Sequence, residues 1–249
     1  MRKRIRNYWE NEAYFYCGTL PEDKAYEKII SQLVQVILSE YNSFDCQLDI
    51  LELGSGTGFL LQGLSKTNHN VLGVDISKNM VDISKNRVQK SGGTARIIQM
   101  DAESLLFEDN SFDILIGDNL LWTLEFPEKS YAEWYRVLKP SGKIFIIDAN
   151  WNLWRFDPKL KKEYQEYQNY LIKKYNRGTH LYCNTGEGEK IDQDLFLSNK
   201  KRPEWDINVM KKIGYRNIKT YLDVSDLVWD DLTLEFNKKT LPFMVCGEK

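Results

Sequence analysis

Short apolar runs punctuate the chain: DILEL (49–53), NVLGVD (70–75), ARIIQMD (95–101), FDILIGD (112–118) and KIFIIDA (143–149). Their apolar residues do not alternate with polar ones, the pattern of strands buried on both faces of a parallel sheet. Between the runs the spacing turns helical. Residues 58–66 carry Phe59, Leu60, Leu61 and Leu64, residues 78–90 follow the cap Ser77, and 127–138 open at Pro127, which suits a first helical turn. Ahead of the first run, residues 21–41 place Tyr26, Ile30, Leu33, Ile37 and Tyr41 on one helical stripe. Strand and helix in alternation predict right-handed crossovers and an α/β, doubly wound sheet with helices on both faces.

After the fifth run the rhythm breaks. Residues 151–203 contain no buried strand and read as a helical insertion that caps the substrate. Within it Asp157 and Pro158 start a helix with Leu160, Tyr164, Tyr167, Leu171 and Tyr175 on one stripe, ending near Gly178. YRNIKTYLDV (215–224) and LPFMVCGEK (241–249) read as two closing strands joined by a short link, paired antiparallel. The expected organisation is one domain over 1–249, with an N-terminal helical segment over 1–45.

Composition narrows the partners. The 249 residues are 42% hydrophobic, enough for a sizeable core, and 34 basic against 36 acidic side chains leave no broad cationic surface for nucleic acid. No window reads as a membrane span, and MRKRIRNYWE at the start reads as a solvated basic arm. Cys17, Cys46, Cys183 and Cys246 lie far apart, without the spacing of a zinc site or a disulfide scaffold, so a cytoplasmic protein with reduced thiols and no metal is expected.

The first strand leads into GSGTG. Gly54, Gly56 and Gly58 allow positive φ and close approach to a ligand, at the strand ends where open α/β sheets bind theirs. A dinucleotide and S-adenosylmethionine both fit that plan. A dinucleotide loop wants G-x-G-x-x-G, and the sixth position here is Phe59. Glu52, two residues before the loop, would repel a pyrophosphate but suits a cationic amino group. Asp75 ends the second strand where a carboxylate accepts ribose hydroxyls, and Asp101 with the amide of Ala102 is placed for an adenine flanked by Ile76 and Met80. Taken singly, Asp75 and Asp101 also fit ordinary strand-end caps, and Met80 fits a core position.

With ILELGSGTG, VLGVDIS, IIQMDAESLLFEDNSFDILIGDNLLWTL and EWYRVLKPSGKIFIIDAN in this order, the chain resembles the class I S-adenosylmethionine-dependent methyltransferases, in the branch that modifies small molecules. The resemblance implies a Rossmann-like seven-stranded sheet with an antiparallel last strand, and S-adenosyl-L-methionine converted to S-adenosyl-L-homocysteine. It places Glu52 at the methionine amino group and Gly54, Ser55 and Gly56 along the cofactor backbone. Asp75 falls at the ribose, Asp101 and Ala102 at the adenine, and backbone groups of Asp118 and Asn119 at the methionine end. Tyr16, with Tyr14 nearby, is positioned to close over the cofactor.

Methyl transfer needs alignment above all, on the order of 7–11 kcal/mol of it, so no nucleophilic side chain is required. The acceptor is expected beside the fourth and fifth strand ends, at Trp122, Asn150, Trp151 and Trp154. NWNLW reads either as an aromatic wall for the substrate or as a plug anchoring the insertion. His180 is the candidate base, and His69 reads as a solvated loop residue. A non-catalytic cofactor sensor or assembly protein and a nicotinamide-dependent dehydrogenase stand as alternatives. A base-modifying enzyme is disfavoured because GDNLLW lacks the Asn or Asp followed by two prolines.

Overall fold

The computed structural model describes residues 1–19, 24–40, 47–178 and 185–249. Helices α1 (Arg2–Thr19) and α2 (Lys24–Ser39) precede β1 (Asp49–Leu53), α3 (Phe59–Leu64), β2 (Asn70–Asp75), α4 (Lys78–Lys90), β3 (Arg96–Gln99), β4 (Phe112–Asp118), α5 (Pro127–Val137) and β5 (Leu138–Asp148). Then come α6 (Pro158–Tyr175), α7 (Thr185–Asp194), α8 (Glu204–Ile213), β6 (Arg216–Tyr221), α9 (Ser225–Val228), α10 (Asp231–Asn237) and β7 (Phe243–Glu248).

The strands form one seven-stranded sheet in the order β3-β2-β1-β4-β5-β7-β6. The first five pair in parallel, while β7 runs antiparallel to both β5 and β6. This is the expected doubly wound sheet with its antiparallel last strand. Strand side chains point alternately to opposite faces, and here both faces are covered. Leu51 and Leu53 join Tyr131, Trp134 and Met210 in one layer, under α5 and α8. Ile50 faces the other way into Ile30, Ile37, Leu60 and Leu64 of α2 and α3. Unbroken apolar runs are what such a two-sided burial requires.

Local signals set several helix starts. Ser77 caps α4 by accepting from Met80 N at 3.2 Å, and Asp157 accepts from the amides of Lys159 and Leu160 ahead of Pro158 in α6. Elsewhere the structure departs from the sequence reading. The basic start is not a solvated arm but the first turn of α1, whose Arg2 and Arg4 are paired with carboxylates. The link between β6 and β7 is not short, since α9 and α10 fill it. Strand β5 begins at Leu138, which pairs with Phe112 before a register shift. Helices α7 and α8 were not legible as such. Tyr41, Cys46 and Cys183 lie outside the described residues, and Cys246 is a buried free thiol. Among the described residues no helix is long and apolar enough to cross a membrane.

The segment returning from the insertion is tied to the sheet by a buried ion cluster. Arg202 grips Asp206 with two bonds, Nε to Oδ2 at 2.9 Å and Nη2 to Oδ1 at 2.7 Å. Its Nη1 donates to Asp148 at the end of β5, at 2.5 Å. The Tyr131 hydroxyl adds a bond to Asp206 Oδ1 at 2.8 Å. The side chains are 1%, 0% and 0% exposed for Arg202, Asp148 and Asp206, so removing the cation strands two carboxylates away from water. Arg202→Ala should therefore cost about 3–5 kcal/mol of unfolding free energy in urea titrations, whereas a loss below 1 kcal/mol, within the range typical of surface pairs, would show the cluster to be marginal.

Candidate active site

The carboxyl ends of β1, β2, β4 and β5 open into a cleft of about 380 Å³, within the size range of small-molecule sites. Its floor is the glycine loop. Gly54, Gly56 and Gly58 have φ of 62°, 50° and 79°, the left-handed region the sequence reading asked of them. At Gly56 a Cβ would meet nothing nearer than 4.0 Å, so the loop leaves open space there. At Gly58 a Cβ would strike Ser84 Oγ of α4 at 2.2 Å, so this glycine lets helix and loop pack.

Glu52 is the penultimate residue of β1, beneath the loop, and is 3% exposed. Its Oε2 is buried without a partner, while the backbone of Leu61 hydrogen-bonds the carboxylate. Burial above all, and then the neighbouring Asp118 and Asp75, push its carboxyl well above the ordinary range. This oxygen lacks a hydrogen-bond donor. Asp75 accepts from Gly56 N and Ser77 N, both at 2.8 Å, so it stitches the loop to the start of α4. The strand-end cap anticipated as one alternative is thus present, and each oxygen keeps a second lone pair. Burial pushes Asp75 up to about 6 against those two bonds. Ser55 is buried behind the loop, its amide donating to Val74 O at 2.8 Å, and Ile76 and Met80 line the same wall.

Asp101 and Ala102 also border the cleft, but Asp101 is already engaged. Its Oδ2 lies 3.1 Å from Arg2 Nε, and its Oδ1 accepts from Glu103 N at 2.9 Å. Arg2 also donates to Glu103 Oε2 at 2.7 Å, which fastens α1 over this end. Ile5 and Trp9 of the same helix line the cleft. None of the three was read from the sequence, which offers no local signal that a basic start folds back. Tyr16 lines it too, hydrogen-bonded to Asn119 and pushed up to about 12 mainly by burial, with Asp118 adding to it. Tyr14, by contrast, is 68% exposed.

Asp118 and Asn119 stand at the end of β4. Asn119 takes φ of 52° and leaves its Oδ1 buried without a partner. No described residue donates a hydrogen bond to the Asp118 carboxylate; burial first, and then Asp148, push it up to about 7. Asp148 ends β5 and accepts from Trp122 N at 3.0 Å. It follows the same strand-end pattern as Asp75 and was overlooked in the sequence.

The acceptor side is aromatic. Trp122 lines it, its Nε1 donating to Asn119 O at 3.1 Å. Trp151 and Trp229 form a corner, ring centroids 6.1 Å apart and planes 48° apart. Trp154 stacks on Tyr164 at 4.0 Å and 9°, with Arg155 4.5 Å over its ring, so it plugs the foot of the insertion. Asn150 is not brought to the cleft surface among the described residues: its side-chain amide is spent on the backbone of Arg202, accepting at 3.0 Å and donating at 2.8 Å. His180 lies outside the described residues. His69 is half-buried at the opposite end of the strands, accepting from Leu48 N at 3.3 Å rather than standing in solvent. Tyr167, Asp192, Trp229 and Phe236 join the lining, brought in by the insertion and by the β6–β7 link.

Comparisons with known proteins bear on the domain and its fold. Residues 51–146 match the family model described as a methyltransferase domain. The ubiquinone/menaquinone biosynthesis C-methyltransferase UbiE of Vibrio vulnificus is 28% identical over 179 residues, covering 69% of this chain and 65% of the relative. Its counterpart in Wigglesworthia glossinidia brevipalpis is 34% identical over 143 residues, 55% of this chain and 56% of the relative. The chain thus spans less than two thirds of the length of these relatives. Among solved structures, Haemonchus contortus phosphoethanolamine N-methyltransferase 2 in complex with S-adenosyl-L-methionine superposes with a TM-score of 0.63 at 18% identity, over 98% of this chain and 60% of that one. At that identity the likeness is one of fold.

The raised carboxyl of Asp118 makes a signed prediction. Folding holds its proton up to about pH 7, while the unfolded chain releases it near the ordinary 3.8, so the burial cost grows as pH rises between those values and is complete above them. Asp118→Asn should therefore stabilise the ligand-free protein more at pH 8 than at pH 5, by on the order of 2 kcal/mol. Scanning calorimetry of both proteins across that range checks it, and a gap that stays constant with pH would refute it.

Proposed function

We propose that this chain, which resembles the class I S-adenosylmethionine-dependent methyltransferases and matches a methyltransferase-domain model over residues 51–146, transfers a methyl group from S-adenosyl-L-methionine to a small-molecule acceptor, with S-adenosyl-L-homocysteine left behind. The observation that carries the proposal is the partnerless, buried Oε2 of Glu52 beside a glycine loop with open space at Gly56. An acceptor oxygen held dry in that way suits the ammonium of an amino-acid moiety. Asp75, beside the loop it stitches, would hold the ribose hydroxyls. Ala102, Ile76 and Met80 would border the purine, and Tyr16 with Asn119 would close the methionine end. When bound, the cofactor supplies an electrophilic methyl carbon on a sulfonium, whose C–S bond breaks as sulfur becomes a neutral thioether.

The chain's own contribution is to position the reactants and exclude water. The floor is the rigid end of a parallel sheet, the roof is α1, and the aromatic side is held by the insertion, here proposed as the substrate cap. A preorganised cleft of this kind lowers the barrier by fixing the approach line rather than by supplying a nucleophile. A cytoplasmic setting with reduced cysteines goes with this proposal.

Incubating the protein with S-adenosyl-L-methionine and a metabolite extract should yield a species heavier by one methylene, detected by mass spectrometry. Full cofactor occupancy with no methylated product across broad extracts would turn the reading toward a cofactor sensor. By calorimetric titration, Asp75→Asn should weaken cofactor binding at least about tenfold, because a charged acceptor becomes a neutral amide facing the sugar. Unchanged affinity in a variant with parental circular dichroism would remove Asp75 from the ribose.

A further inference from the structure

The polar groups of the cleft fall into pairs with few left over. Arg2 is held by Asp101 and Glu103. Arg155 stands 3.6 Å from Asp192, and Asp148 belongs to Arg202. Asp75 has its two backbone amides. Glu52 is reserved for the donor's ammonium on the reading above. One carboxylate remains: Asp118, with no donor from any described residue, at the junction of the donor side and the aromatic side.

The rings tell a matching story. Trp154 already carries a guanidinium, Arg155, at 4.5 Å, and Tyr167 has the Lys239 ammonium 6.0 Å from its centroid. Among the described residues no basic side chain stands over Trp151 or Trp229, although both line the cleft and meet in an open corner at 48°. Tryptophan faces attract cations most strongly of the aromatic side chains. Cations of the chain thus stand over Trp154 and Tyr167, whereas among the described residues the Trp151–Trp229 corner and the Asp118 carboxylate have none.

From this we infer that the acceptor is an amine, carried into the cleft as an ammonium ion against the Trp151–Trp229 corner and Asp118. The inference rests on the methyltransferase reading and names its substrate class. The chemistry balances. The ammonium proton passes to the Asp118 carboxylate, the freed nitrogen lone pair forms the new C–N bond to the methyl carbon, and the C–S electron pair departs onto sulfur. A carboxyl that is hard to ionise in its dry setting is a better proton acceptor than an exposed aspartate. As the C–N bond forms the positive charge passes from sulfur to nitrogen, so the methylated product leaves the step as an ammonium that the same rings hold.

The test uses the intact protein saturated with S-adenosyl-L-homocysteine at pH 8 and compares two probes by calorimetry: choline, and its neutral isostere 3,3-dimethylbutan-1-ol. Choline should bind at least about tenfold more tightly. Trp151→Leu and Asp118→Asn should each remove most of that preference while leaving affinity for the neutral isostere within about twofold. Equal binding of the two probes, or no binding of choline to the loaded protein, would overturn the inference on the parent protein alone, whether or not the variants fold. A preference that survives both substitutions would overturn it as well. Saturation with S-adenosyl-L-homocysteine is measured first: failure there brings down the methyltransferase reading and the inference together, whereas saturation without cation preference brings down only the inference.

Discussion

Arg202 lies between two buried carboxylates, and on that placement depends how the helical insertion stands over the sheet. Asp148 is the last residue of β5, and Asp206 sits in α8, so a single guanidinium joins a strand end to the helix that follows the insertion. The cluster reaches the cleft directly. The Asp148 oxygen that takes Arg202 also takes the amide of Trp122, and the Arg202 backbone is clamped by the side chain of Asn150. A charge that cannot be solvated tolerates little displacement, and this is how one ion cluster holds β5, the turn after β4 and the segment leaving the insertion in fixed relation.

The neighbouring carboxylates follow the opposite logic. Glu52, Asp75 and Asp118 stand at strand ends with burial raising all three, and no described cation forms an ion pair with any of them. Such an arrangement costs folding free energy. The sheet makes the cost bearable. Both of its faces are packed with aliphatic and aromatic side chains, so the strand ends cannot relax toward water by local unfolding without disturbing the core.

The roof is assembled from charge as well. Helix α1 is pinned at its start by Arg2 on Asp101 and Glu103. Along its length Glu10 takes the hydroxyl of Ser77 at 2.7 Å, and its carbonyl takes the side-chain amide of Asn79 at 2.9 Å. These bonds sit at the N-terminal end of α4, where unpaired amides and the helix dipole favour a carboxylate. The same short turn thus anchors the roof through Ser77 and the glycine loop through Asp75.

Much of this was legible beforehand. The unbroken apolar runs marked the strands, the cap at Ser77 and the Asp157–Pro158 pair marked helix starts, and GSGTG with Glu52 and Asp75 marked the strand-end loop that lines the cleft, because each depends on neighbours within a few residues or on the simple burial of a parallel sheet. What the chain does with distant pairs was not. That Arg2 folds back onto Asp101, that Trp229 meets Trp151, that Asn150 serves Arg202 rather than the cleft, and that Arg202 finds Asp148 at a separation of 54 residues were decided only by the tertiary structure, since such contacts follow from how elements pack and leave no local pattern of residues to read.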